Sequence, residues 1–106
     1  MTGKSKLKID KPRIRVDFNE MVENDLVLLS KIDAKENTAG EIIQLIEGAS
    51  VAIYEHNYYD DGLEEYLLAD GVVEFNKNYN SEDWTSVCKW NCRINNNGII
   101  VKTNEE

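Results

Sequence analysis

The stretch WTSVCKWNCRI, residues 84–94, constrains the fold of this 106-residue chain more than any other. Trp84, Ser86, Cys88, Trp90, Cys92 and Ile94 fall on one side of a period of two. Thr85, Val87, Lys89, Asn91 and Arg93 fall on the other. Side chains alternate across a strand and not around a helix. The spacing therefore predicts a half-buried β-strand with Trp90 in the core between Cys88 and Cys92.

The same period recurs elsewhere. In RIRVDFNE, Ile14, Val16 and Phe18 alternate with Arg13, Arg15 and Asp17, which predicts a strand with its charges in solvent. MVEND reads as a turn. DLVLLSKI (25–32) is a continuous apolar run, expected of a strand covered on both faces or at a barrel seam. DAKENTAG (33–40) is polar, holds Gly40 and reads as a loop. Residues 41–55 are β-branched and broken by EGAS, which favours strand, turn and strand over a short helix. Val51 and Ile53 then share one face and Ala52 and Tyr54 the other. Residues 61–71 admit a helix capped by Asp61. The β-prone VVEF favours loop through Glu64 and a strand from Glu65 to Phe75, with a bulge at Gly71. Residues 76–83 read as a loop. NNNG (95–98) suits a tight hairpin into a last strand, IIVK.

Six to seven short strands, with turns every 8–12 residues and at most one short helix, predict an all-β domain: a small, partly open β-barrel. The layout resembles SH3-like barrels in having a first strand, a long polar excursion, and Gly48-x-x-Val51-x-Ile53-Tyr54 leading into a hairpin. That resemblance implies architecture alone. Residues 1–11 show no apolar period and are expected to form a flexible basic arm, with 12–106 as one domain.

Charge divides the chain the same way. Residues 1–15 carry a net +5 and residues 16–106 a net −13, for −8 in all. An acidic body repels nucleic acid and anionic membranes at long range and attracts basic partners. The longest apolar runs fall far short of the roughly 20 residues that cross a bilayer, and the charged start has no apolar signal region. Cys88 and Cys92, four apart in a strand, would sit roughly 13 Å apart, beyond the about 7 Å that a disulfide spans. Free thiols favour a reducing compartment, so a cytoplasmic location is expected.

Site chemistry centres on YEHNYYDDGLEEYLLADG, residues 54–71, which hold the single His56, six carboxylates and no Lys or Arg. With Gly62 set at the sixth position of a calcium loop, Tyr59 and Leu68 occupy ligand positions, so the pattern fails. Two cysteines and one histidine do not make a zinc framework, and no cofactor is expected. No Gly-x-Ser-x-Gly elbow accompanies His56, and Thr2-Gly-Lys-Ser lacks the rest of a phosphate-binding loop. The chain thus reads as non-enzymatic. The expected contact surface is Tyr58 and Tyr59 as apolar anchors, with Asp60, Asp61, Glu64 and Glu65 steering a protein partner with a basic surface. The alternative is a nucleic-acid-associated barrel whose arm, Lys4 to Arg15, touches phosphate.

Overall fold

The structure, a computed structural model, describes residues 8–104. Lys4 and Lys6 of the expected arm lie outside the described residues. The strands are β1 (Ile14–Arg15), β2 (Met21–Glu23), β3 (Leu26–Ser30), β4 (Ala34–Glu36), β5 (Ile42–Gln44), β6 (Ser50–Tyr58), β7 (Glu64–Phe75), β8 (Trp90–Ile94) and β9 (Ile100–Thr103). A single 3-10 turn covers Trp84–Val87. The domain is all-β, as expected, but β4 falls inside the expected loop and β2 inside the expected turn. Two strands, β6 and β7, are long rather than short.

Seven strands form one mixed sheet in the order β1-β6-β7-β8-β3-β2, with β9 also on β7, and β4 and β5 form a separate hairpin. Among the described residues only the β1–β6 pair is parallel. Among the described residues no ladder joins the edges β1 and β2, so the sheet is open and hydrogen bonding does not close it into a barrel. It is nonetheless curled. Ile14 of β1 and Val27 of β3 belong to one core cluster with Ile53, Ala69, Val73 and Cys92. In a flat sheet Ile14 and Val27, four strand spacings apart, would stand about 19 Å from each other, at roughly 4.8 Å per strand.

The twelve residues of β7 organise this sheet. One edge pairs with β6 along its whole length, from Ser50↔Val72 to Tyr58↔Glu64. The other edge pairs with β8 over Gly71–Phe75 and with β9 over Glu65–Leu68. β8 and β9 run in the same direction, end to end. The Asn-Gly pair therefore closes no hairpin: Gly98, at φ +68°, turns an outward loop between two halves of one interrupted strand. Nor is Gly71 a bulge. Register through it is continuous, and it is glycine because a Cβ there would lie 2.1 Å from the Arg93 carbonyl oxygen and 2.9 Å from Cys92 Sγ.

The expected strand over 84–94 begins only at Trp90. Asp83 caps the 3-10 turn by accepting from the Thr85 N–H at 3.3 Å, and the Asn76 amide donates to the Thr85 and Cys88 carbonyls at 2.6 and 2.8 Å. These local bonds outcompete a ladder and leave Trp84 exposed. From Trp90 onward the strand forms, with Trp90, Cys92 and Ile94 opposite Phe75, Val73 and Gly71, but Asn91, read onto the face away from the core, is itself buried. Trp90 lies at the margin of the core. It packs edge-on to Phe75, and its Nε1 donates to Asp33 at 2.9 Å. Both thiols are free and buried. Burial pushes Cys92 up to about 12 and Cys88 in the same direction, so neither is a ready nucleophile.

Arg13, expected in solvent, is 5% exposed. Its guanidinium donates to the Ile53 and Ala69 carbonyls at 3.1 and 2.9 Å and to Asp70 at 3.1 Å. Asp10 clamps it from the other side at 2.7 and 2.9 Å. The residues just before β1 are thereby fixed to β6 and β7, and Lys11 adds a pair with Asp70 at 3.1 Å.

Two outcomes follow from these contacts. Gly71→Ala meets backbone that cannot yield, so it is expected to lower unfolding stability by about 2 kcal/mol or more in urea titration. The hydrogen bonds from Arg13, then its charge, hold the Asp10 carboxyl down at about 2, against 3.8 for a free side chain. A depressed carboxylate gives stability that is complete above the unfolded value and is lost as pH falls from about 4 to about 2. Asp10→Asn is expected to flatten the wild-type stability profile across that window.

Candidate functional site: a projecting aromatic and acidic ribbon

Beyond β1 the β6–β7 pair continues, with β9 on its far side, as a three-stranded ribbon in a molecule measuring 52 × 26 × 23 Å. A turn closes its tip. Gly62 N–H donates to the Tyr59 carbonyl at 3.0 Å and Tyr59 N–H to the Leu63 carbonyl at 2.9 Å. Gly62 supplies the positive φ, +88°, that this turn requires. Asp61 Oδ1 accepts from Leu63 N–H, and the Asn104 side chain accepts from Glu64 N–H at 2.9 Å.

Alternation sorts the ribbon's side chains onto two faces. On the outer face, His56 stacks on Tyr66 at 4.3 Å between ring centres and leans on Tyr58 at 4.5 Å. Tyr54 meets Tyr66 edge-on at 6.0 Å. His56 Nε2 lies 2.6 Å from Glu64 Oε2, with both side chains 22% exposed. That contact fixes the ring, and the stack turns Tyr58 outward at 73% exposure. On the inner face, Glu65 Oε1 accepts from the Tyr59 hydroxyl at 2.9 Å and from Asn57 Nδ2 at 3.2 Å. The bond to Glu65 raises the Tyr59 phenol above its usual range, and burial raises that of Tyr66. Both rings stay neutral donors at ordinary pH.

Where the ribbon leaves the body, the open sheet forms a cleft of about 420 Å³. Val16, Leu28, Leu29 and Cys88 line its apolar part, and Arg15, Asp17, Glu20, Lys35 and Glu55 its polar part, with His56 and Asn57 alongside. Glu55 Oε1 accepts from the Phe18 N–H at 2.7 Å, which holds the turn after β1 against the ribbon.

The structure places all six expected contact residues at the ribbon's end but gives them different surroundings. Tyr58 and Tyr59 face opposite sides, as adjacent residues of an extended segment must. Glu64 and Glu65 are engaged by His56, Tyr59 and Asn57. Asp60 and Asp61 remain at the tip. Tyr54, His56 and Tyr66 were not among the expected contact residues. Tyr54, His56 and Tyr58 recur at a period of two, but stacking with Tyr66 depends on the β6–β7 register. Among the described residues no group of three or more His, Cys, Asp or Glu side chains is arranged to hold a metal ion, and no helix is long and apolar enough to cross a membrane.

No protein-family model matches the chain, and neither the curated proteins nor the solved structures yield a significant match. The geometry of the ribbon separates its residues in a measurable way. Tyr58→Ala removes an exposed ring and is expected to change unfolding free energy by less than about 1 kcal/mol. Tyr66→Ala removes the ring on which both His56 and Tyr54 pack and is expected to cost about 2–3 kcal/mol in the same denaturant titration.

Proposed function

We propose that this domain is a non-enzymatic interaction module that binds a protein partner with a basic surface through the end of the β6–β7 ribbon. The observation that supports the reading is the presentation of Tyr58. It is an exposed ring on a rigid aromatic stack, in a stretch with six carboxylates and no cation. A rigid aromatic gives contact area at little cost in side-chain entropy. Unpaired carboxylates at the rim accelerate encounter with a positive surface. In this reading Tyr58 and Tyr59 anchor opposite sides of the tip. Asp60 and Asp61 steer, and Glu64 and Glu65 hold the anchoring rings in place while adding negative potential. The curled open sheet serves as a scaffold of the small, partly open, SH3-like barrel kind. The module works in a reducing, cytoplasmic setting that keeps Cys88 and Cys92 as thiols.

Affinity capture with the wild-type domain and with Tyr58→Ala identifies the partner as the protein retained by the first and lost by the second. The doubled change Asp60→Asn with Asp61→Asn is then expected to slow association with that partner and flatten its salt dependence, leaving dissociation nearly unchanged. A captured partner with an acidic contact surface, or an association rate indifferent to salt, refutes the reading. Binding of RNA or DNA that disappears when residues 1–8 are removed, which spares the Asp10–Arg13 clamp, would transfer the function to the arm.

A further inference from the structure

The outer edge of β6 is paired only at its lower end. β1 pairs with Ile53 and Tyr54, and among the described residues no strand pairs with that edge beyond Tyr54. The Tyr54 carbonyl accepts from Val16 N–H at 2.8 Å, so Tyr54 directs its backbone groups to this edge. Residues of the same parity direct theirs the same way. His56 therefore presents backbone donors and acceptors beside the 420 Å³ cleft that it lines, and Tyr58 continues the same open edge beyond the cleft, the geometry that takes up an added strand.

We propose that residues 4–8 of a second copy of this chain, Lys-Ser-Lys-Leu-Lys, add as a strand to this edge, with Leu7 over Val16 and Leu29 and with Lys6 and Lys8 turned to the outer face. The chain already uses that chemistry one step lower. In Arg13-Ile14-Arg15 the apolar residue enters the core opposite Ile53, and Arg15 lies opposite Tyr54. Lys6-Leu7-Lys8 repeats the basic–apolar–basic order. Charge favours the same occupant, since Lys4, Lys6 and Lys8 carry +3 toward a body of net −13.

With Leu7 and Lys8 alongside His56 and Tyr58, the arm cannot serve its own cleft. Asp10 is clamped to Arg13, and Lys11 to Asp70, which lies opposite Ala52. His56 and Tyr58 stand four and six residues beyond Ala52, roughly 13–20 Å along β6. Leu7 and Lys8 are three and two residues from Asp10 and reach at most about 11 and 7 Å from it. The elongated shape lets two copies lie antiparallel, so that each arm meets the other's ribbon and the exchange closes with twofold symmetry. This occupancy uses the backbone edge of His56 and Tyr58, whereas the proposed function uses the Tyr58 ring.

Sedimentation equilibrium on the full chain, on a chain lacking residues 1–8 and on the full chain with Leu7→Asp tests the exchange. The full chain is expected to approach the mass of two chains as concentration rises and to dissociate with added salt, while both variants stay at the mass of one. In the truncated chain, a synthetic peptide of residues 1–9 is expected to shift the backbone amide resonances of His56 and Tyr58 and slow their hydrogen exchange. A full chain that stays monomeric overturns the proposal, as does a dimer that survives either variant. A peptide that shifts resonances elsewhere also overturns it. If the peptide seats on His56 and Tyr58 while the full chain stays monomeric, the edge receives a basic strand from another protein and arm exchange is refuted.

Discussion

Everything in this molecule hangs on the backbone of β7. A twelve-residue strand hydrogen-bonded along both edges fixes the position of β6, β8 and β9 at once. The other connections are short: β1 contributes two residues and β2 three. Because β8 and β9 share one edge end to end, β7 belongs to two structures. Its second half lies in the curled body over the core of Ile14, Val27, Ile53, Val73 and Cys92. Its first half is the middle of the ribbon, which has no comparable apolar cluster beneath it. Gly71 stands where β7 comes closest to β8, and the absence of a side chain lets the two strands meet around Cys92.

Arg13 joins the start of the chain to this frame. A buried guanidinium is costly unless each of its donors is used. Here Asp10, Asp70 and the carbonyls of Ile53 and Ala69 use them. The clamp makes β1 a fixed but very short edge strand. Its shortness leaves the upper edge of β6 open above it, and the cleft, the ribbon and the exposed Tyr58 all follow from that. A longer β1 would have covered His56 and filled the gap that the open sheet leaves.

The ribbon's chemistry is divided by the pleat. Tyr54, His56, Tyr58, Glu64 and Tyr66 share one face, and Asn57, Tyr59 and Glu65 the other. What looks in one dimension like a single acidic, tyrosine-rich patch is two small clusters back to back, with Asp60 and Asp61 at the turn between them. Each cluster ties one glutamate to the group that orients its neighbouring ring, so the tip carries fewer unpartnered charges than its composition suggests.

Local pattern alone determined much of this. Alternation identified the strand over 90–94, an unbroken apolar run identified β3 and the β-prone VVEF identified β7 as strand rather than helix, whereas β6 runs on to Tyr58, past the expected end at Glu55, because its pairing with β7 extends it. The same pattern misled at Trp84, where a capping aspartate and the Asn76 amide offered the backbone nearer partners. It misled again at Arg13, whose solvent-like position in the alternation conceals a pocket of carbonyls contributed by β6 and β7. Asn97-Gly98 announced a turn and was one, but no short-range signal states which strand follows which edge. Register, the stacking of His56 on Tyr66, the close approach at Gly71 and the open edge of β6 involve residues distant in sequence. Only the tertiary structure decided them, because hydrogen bonding between strands fixes which side chains meet, and a single sequence does not record its own pairings.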